Sequence, residues 1–99
     1  MTGGSQSRLF DCDPHKREWL IAERGLDLLS LLPIFDDGAR LDFEDRRRDY
    51  GEVRRVTVGE VRGRVFTLVY TLRGEVTWLI TAWPSSRRER TFYAERALR

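Results

Sequence analysis

Glutamate and arginine recur in the C-terminal half of the chain at spacings suited to chemistry on an anion. Glu52 and Arg54 stand two residues apart at the start of EVRRVTV. In an extended strand side chains alternate, so both would point to the face that also carries Val56 and Val58. A carboxylate can accept a proton, and a guanidinium can grip phosphate through two parallel hydrogen bonds. The same two residues could equally form an exposed ion pair that contributes little. A second group lies in WLITAWPSSRRER, residues 78–90, where an apolar strand edged by Trp78 and Trp83 runs into an arginine-rich helix. Arg87, Arg88 and Arg90 crowd the first turn of that helix. Cations at this end oppose the helix dipole, and together with the open backbone N–H groups they would attract a phosphate.

Charge is spread unevenly. Net charge is only +2, yet residues 1–45 hold five Lys/Arg against ten Asp/Glu, and residues 46–99 hold thirteen Arg against six Asp/Glu. All but one of the basic residues, Lys16, are arginine. Such a half fits a nucleic-acid surface, and equally an arginine-biased composition on a solvated face.

The elements that must position these residues follow from pattern and punctuation. Ninety-nine residues, 40% of them hydrophobic, make one domain with a single core. Residues 1–8 read as a Gly/Ser-rich flexible lead-in without the build of a signal peptide, and residues 9–99 as the domain. No run approaches a membrane span. The single Cys12 forms no internal disulfide, which fits a cytoplasmic location, and one cysteine with one histidine (His15) argues against a structural zinc site. No metal or cofactor is expected.

Residues 9–12 predict a short strand. Asp13 and Pro14 predict a helix start, and Gly25 its end, with Trp19 and Leu20 docking that helix on the core. Asp27 predicts the cap of a second, buried helix in LLSLLPIF, shortened or bent at Pro33. LDFED alternates like a strand, and DRRRDYGE is polar and reads as a loop. EVRRVTV, RVFTLVYTLR and VTWLITAW predict three further strands, joined by a hairpin connection from Gly59 to Gly63 and a turn at Gly74. Ser86-Arg87-Arg88-Glu89 matches a capping box and starts the last helix. The expected architecture is α+β: a mainly antiparallel sheet, two N-terminal helices and one C-terminal helix, with one sheet face covered and the other partly covered.

Taken in order, these segments resemble the BrnT family, small ribonuclease toxins of bacterial type II toxin–antitoxin modules with a RelE-like fold. The resemblance runs from about Phe10 to Tyr93. F-D-C-D-P-H-K and the helix ending in R-G stand where the family has W-D-x-x-K and K-H-G. I-F-D-D follows the second helix. G-E-V-R at 51–54, T-L-R at 71–73, L-I-T-A at 79–82 and E-R-T-F-Y at 89–93 correspond to G-E-x-R, T-x-R, I-I-S-A-R and E-x-x-x-Y. The chain departs from the family at Leu20, where an Asn is usual, and at Glu23-Arg24, where Lys-His is usual. Trp78 and Trp83 replace two family arginines.

The resemblance implies a metal-independent endoribonuclease that cleaves RNA and inhibits growth, with Glu52, Arg54 and Arg73 as the catalytic group. The residue types themselves suggest RNA contacts from Trp83, Arg87, Arg88 and Tyr93: the two arginines could hold phosphate from the last helix, and Trp83 could stack an unpaired base. The resemblance also implies a BrnA-like ribbon-helix-helix antitoxin, through which alone the toxin would meet DNA. Plainer readings stand beside each role. In these, Arg73 decorates a hairpin, Glu89 serves the capping box, Tyr93 and Trp78 pack, and Trp83 anchors a protein partner. The alternative function is a catalytically weakened binding module that pairs with an antitoxin-like DNA-binding partner, its phosphate clamp lost with the two arginines.

Overall fold

A computed structural model describes residues 9–98; the predicted lead-in at residues 1–8 lies outside them. Strand β1 (Leu9–Cys12) leads into helix α1 (Pro14–Arg24) and a 3-10 helix (Leu28–Asp36). Strands β2 (Leu41–Asp45), β3 (Arg54–Val61), β4 (Arg64–Arg73) and β5 (Val76–Pro84) follow, and helix α2 (Arg87–Ala97) ends the described chain. The five strands form one sheet in the order β1-β5-β4-β3-β2. β1 is parallel to β5 and the other neighbours are antiparallel. The domain is thus α+β, as the sequence predicts, with a mixed sheet dominated by antiparallel pairs.

Local signals set the helix ends. The Asp13 side chain accepts the His15 N–H, and Gly25 closes α1 in the left-handed conformation at φ 62°. Asp27 caps the next segment through the Leu29 N–H. That segment is a 3-10 helix rather than an α-helix: Pro33 lies inside it, offers no N–H and disrupts a regular α-ladder. Arg17 reaches both Asp27 carboxylate oxygens at 2.7 and 2.8 Å, tying α1 to the 3-10 helix.

The sheet separates two cores. On one face Leu20, Leu28, Leu31 and Ile34 pack on Phe66, Leu68, Tyr70 and Leu79. On the other, Tyr93 of α2 packs on Val56, Val58 and Val69, with Ile80 and Trp83 beside them. Leu20 docks α1 as expected, but Trp19 does not. Its ring stays half exposed, between Lys16 at 4.7 Å and Arg24 at 5.3 Å, because Leu20 takes the core-facing position and its helical neighbour points about 100° away.

Two strand limits differ from the pattern reading. β3 begins at Arg54 rather than Glu52, and runs through Gly59 and Glu60 to Val61, so the hairpin turn is only Arg62-Gly63. Gly59 sits inside the strand because the 3-10 helix lies on it. A Cβ built there would fall 2.7 Å from Ile34 Cγ1.

At the far end of this layer Asp37 joins three elements. Its Oδ2 accepts the Glu60 N–H at 2.9 Å and the Tyr93 hydroxyl at 2.6 Å. Burial raises the Asp37 pKa, but the bonds from Tyr93 and from the Glu60 and Ala39 N–H groups outweigh it and hold the carboxyl below its ordinary value. Burial and that same hydrogen bond push Tyr93 up to about 12.

Gly59→Ala is expected to lower unfolding stability in urea by about 1–3 kcal/mol, as overpacking does, whereas Gly38→Ala, with nothing within 4 Å of its added Cβ, leaves it nearly unchanged. Tyr93 favours its neutral form in the folded state. Its contribution is therefore complete below the unfolded tyrosine pKa and fades as pH rises through about 12. Urea midpoints measured from pH 9 upwards should fall more steeply for the parent chain than for Tyr93→Phe.

Candidate active site

Helix α2 crosses only one end of its sheet face, the end where β5 runs into the helix. The opposite end, where β3 begins and β4 finishes, holds Glu52, Arg54 and Arg73. Antiparallel register sets Arg54 opposite Thr71 and Thr71 opposite Trp78. Directly paired residues share a face, so Arg54, Trp78 and, two residues beyond Thr71, Arg73 all lie on the α2 side.

Glu52 precedes the strand, so its position depends on the 46–53 loop. Asp45, the last residue of β2, has a side chain only 2% exposed. It accepts the Arg47 Nε at 2.9 Å and Nη2 at 2.8 Å, the Arg47 N–H at 3.1 Å and the Tyr50 hydroxyl at 3.1 Å. The Arg47 guanidinium, foremost, holds the Asp45 carboxyl far below the usual carboxylate range. Gly51 then turns the chain at φ 73°, with its N–H bonded to Asp49. The Thr71 hydroxyl donates to the Val53 carbonyl at 2.6 Å and pins the loop to β4.

Glu52 is thereby delivered between two guanidiniums. Arg73 donates to its two oxygens from Nε at 3.3 Å and Nη2 at 3.2 Å. Arg54 Nε stands 3.9 Å from Oε2, an ion pair without a hydrogen bond. Each arginine also faces a ring: Arg54 lies 4.1 Å from the Tyr50 centroid and Arg73 4.8 Å from that of Trp78. The Glu52, Arg54 and Arg73 side chains keep 28%, 29% and 49% of their surface in contact with solvent. The hydrogen bonds from Arg73, foremost, lower the Glu52 pKa, so the group is an ionised carboxylate near neutral pH. A proton acceptor thus stands beside two phosphate-compatible cations on an open surface.

The structure brings these three predicted residues together and places the other four elsewhere. Trp83 pairs with Thr67, toward the other end of β4 from Arg73. Its ring packs with the second core, and its indole N–H donates to Glu89 at 3.2 Å. Glu89 also accepts the Ser86 N–H, completing the capping box. Tyr93 is buried, with its hydroxyl on Asp37. Arg87 and Arg88 are exposed in the first turn of α2, on the same sheet face as Arg54 but at the covered end.

Tyr50, Trp78 and the Asp45–Arg47 pair complete the site without having been singled out as parts of it. A tyrosine four residues before Arg54 in a polar loop was the available signal, but only the fold of that loop sets the ring against the guanidinium. On the opposite face Asp42 gathers Arg40, Arg55 and the Tyr70 hydroxyl into a separate charged cluster. Among the described residues no group of three His, Cys, Asp or Glu side chains is arranged to hold a metal ion, and no helix is long and apolar enough to cross a membrane.

A carboxylate between two arginines on an open sheet face of a small α+β domain is an arrangement suited to an anionic ligand. The sequence family narrows this. Residues 12–89 match the family described as ribonuclease toxin, BrnT, of type II toxin-antitoxin system, and the chain belongs to that family. The family is one of RNA-cleaving toxins held in check by antitoxins. No curated protein matches the chain.

Removal of the Arg73 guanidinium should raise the Glu52 pKa. Carboxyl carbon NMR titration of the parent and of Arg73→Ala tests this, with the Glu52 transition expected at higher pH in the variant. A depressed carboxylate pKa also stabilises the fold at neutral pH, and that contribution is lost as pH falls through the folded value. Arg73→Ala should therefore show a shallower loss of stability in acid.

Proposed function

We propose that the chain is a metal-independent endoribonuclease in which Glu52 is the general base and Arg54 and Arg73 hold the scissile phosphate. The observation that carries this reading is the shared carboxylate: Glu52 accepts two hydrogen bonds from Arg73 while Arg54 stands within ion-pair distance. Cleavage of RNA without a metal needs a base to deprotonate the 2′-hydroxyl, cations to hold the phosphate as charge develops, and a proton for the 5′-oxygen that leaves as the 2′-oxygen bonds to phosphorus, which solvent could supply at this open site. Phosphate oxygens arriving at Arg54 and Arg73 would compete with the carboxylate for the same donors. As its donors turn to phosphate, Glu52 would lose part of what depresses its pKa and become the better base.

Single-stranded RNA would lie across the open end of the sheet, with its backbone continuing toward the exposed Arg87 and Arg88. Trp83 and Tyr93 would contribute by fixing α2 to the sheet, since their polar atoms are engaged with Glu89 and Asp37. The antitoxin would be a BrnA-like ribbon-helix-helix protein, the complex would reach DNA only through it, and the toxin would act in the cytoplasm. The fold would be of the RelE-like kind.

The test is cleavage of a labelled single-stranded RNA by the purified chain with a chelator present. The parent chain should cut. Arg54→Ala and Glu52→Gln should each lose roughly 100-fold or more in kcat/KM, the range of a lost proton-transfer or charge-stabilising group, with unchanged circular dichroism. Folded variants that cut at the parent rate would remove those side chains from the mechanism.

A further inference from the structure

The two arginines of the site are held in different ways. Arg73 is oriented by two hydrogen bonds to Glu52. Arg54 has no such bond. Its Nε is buried and without a hydrogen-bond partner, and its nearest carboxylate oxygen is 3.9 Å away. A buried guanidinium donor left unpaired is destabilising, and nothing of the hydrogen-bond kind defines its direction. What does lie against it is the Tyr50 ring, whose centroid is 4.1 Å from the guanidinium carbon. The negative π-face attracts the cation and restrains its plane, yet leaves its edge donors uncommitted.

The ring is itself anchored. The Tyr50 hydroxyl donates to Asp45 Oδ2, and Asp45 is buried and gripped through both oxygens by Arg47. The left-handed Gly51 follows directly, so the loop that delivers Glu52 also delivers the ring. A buried carboxylate at the end of β2 is therefore linked, through one aromatic side chain, to the first residue of β3.

We propose that Tyr50 is a positioning residue for RNA cleavage, holding the Arg54 guanidinium by stacking so that its N–H donors are presented to a phosphate. This rests on the ribonuclease reading above, in which Arg54 holds the phosphate. Stacking suits that task better than a hydrogen-bonded partner, because a partner would occupy the donors the phosphate needs. The ring touches the arginine, whereas the hydroxyl only adds one tether to a loop also held by Gly51 and by the Thr71–Val53 hydrogen bond, so the ring is the essential part.

The full chain, labelled with 15N-arginine, provides two readouts. The first is the Arg54 Nε–H signal, which the parent should show shifted by the ring current and slow to exchange with water. The second is kcat and KM on the labelled single-stranded RNA. Tyr50→Leu should move the Arg54 signal toward those of exposed arginines and lower kcat by roughly 10- to 100-fold, the cost of a misplaced catalytic contact, with a smaller change in KM. Tyr50→Phe keeps the ring and should stay within about threefold of the parent in both constants. Tyr50→Met serves in place of Tyr50→Leu if the latter fails to fold.

Three results would overturn the proposal. One is that Tyr50→Leu keeps both the Arg54 signal and turnover. Another is that Tyr50→Phe loses as much as Tyr50→Leu, which would assign the effect to the hydroxyl. The third is that Tyr50→Leu raises KM alone, which would make the ring a stacking surface for an RNA base. A parent chain that does not cut at all would refute the ribonuclease reading by itself, while the Arg54 signal would still report whether Tyr50 holds the guanidinium.

Discussion

The alternation of side chains along β4 is the constraint on which the rest of the molecule depends. β4 lies between β3 and β5. Phe66, Leu68 and Tyr70 point into the core beneath α1 and the 3-10 helix, and Val69 points toward α2. A slip of one residue would exchange the two sets and put Thr71 and Arg73 under the helices. Leu72, next on the Phe66 face, is 62% exposed, so the first core stops short of the strand's end, and α2 covers only the opposite end of the other face. Arg73 is at the end that α2 leaves open, which is why the candidate site is accessible.

Two carboxylates near that end show how environment separates roles. Asp45 is buried, with its oxygens occupied by Arg47 and Tyr50, and it organises a loop. Glu52 is partly open and shares its oxygens with cations that a phosphate could draw away. Both titrate below their ordinary values because arginines bond to them. What distinguishes them is access, since only the Glu52 site leaves room for a substrate. Residue types associated with RNA contact are also used for packing. Trp83 ties β5 to Glu89, and Tyr93 ties α2 to Asp37, where a buried polar group without a partner would be costly.

Trp78 and Trp83 show why part of the site was hidden. Five residues apart in a regular strand, they would face opposite sides of the sheet. The register of β5 against β4 shifts between Val69 and Tyr70, leaving Ile80 as an extra residue. That bulge resets the alternation, so Trp78 opposite Thr71 and Trp83 opposite Thr67 both face α2. One ring lies against the site arginine and the other lies under the helix cap. No period-two reading of VTWLITAW contains that shift, because nothing local marks where a bulge is placed.

The sequence by itself determined the element order, the caps at Asp13, Asp27 and Ser86, the glycine stop of α1, and the limits of β1, β2 and β4. These are set by short-range chemistry: side-chain oxygens on nearby N–H groups, a proline at a helix start, alternation along a strand. The motif order from Phe10 to Tyr93 also carried the family, and G-E-V-R with T-L-R carried Glu52, Arg54 and Arg73. The tertiary structure alone decided that Tyr50 lies on Arg54, that Arg73 and Arg54 share one carboxylate, and that Trp19 stays in solvent. It alone put Arg87 and Arg88 at the other end of the sheet. Those outcomes depend on strand register, a bulge and the path of an eight-residue polar loop between β2 and β3, each settled by contacts between residues far apart in the chain.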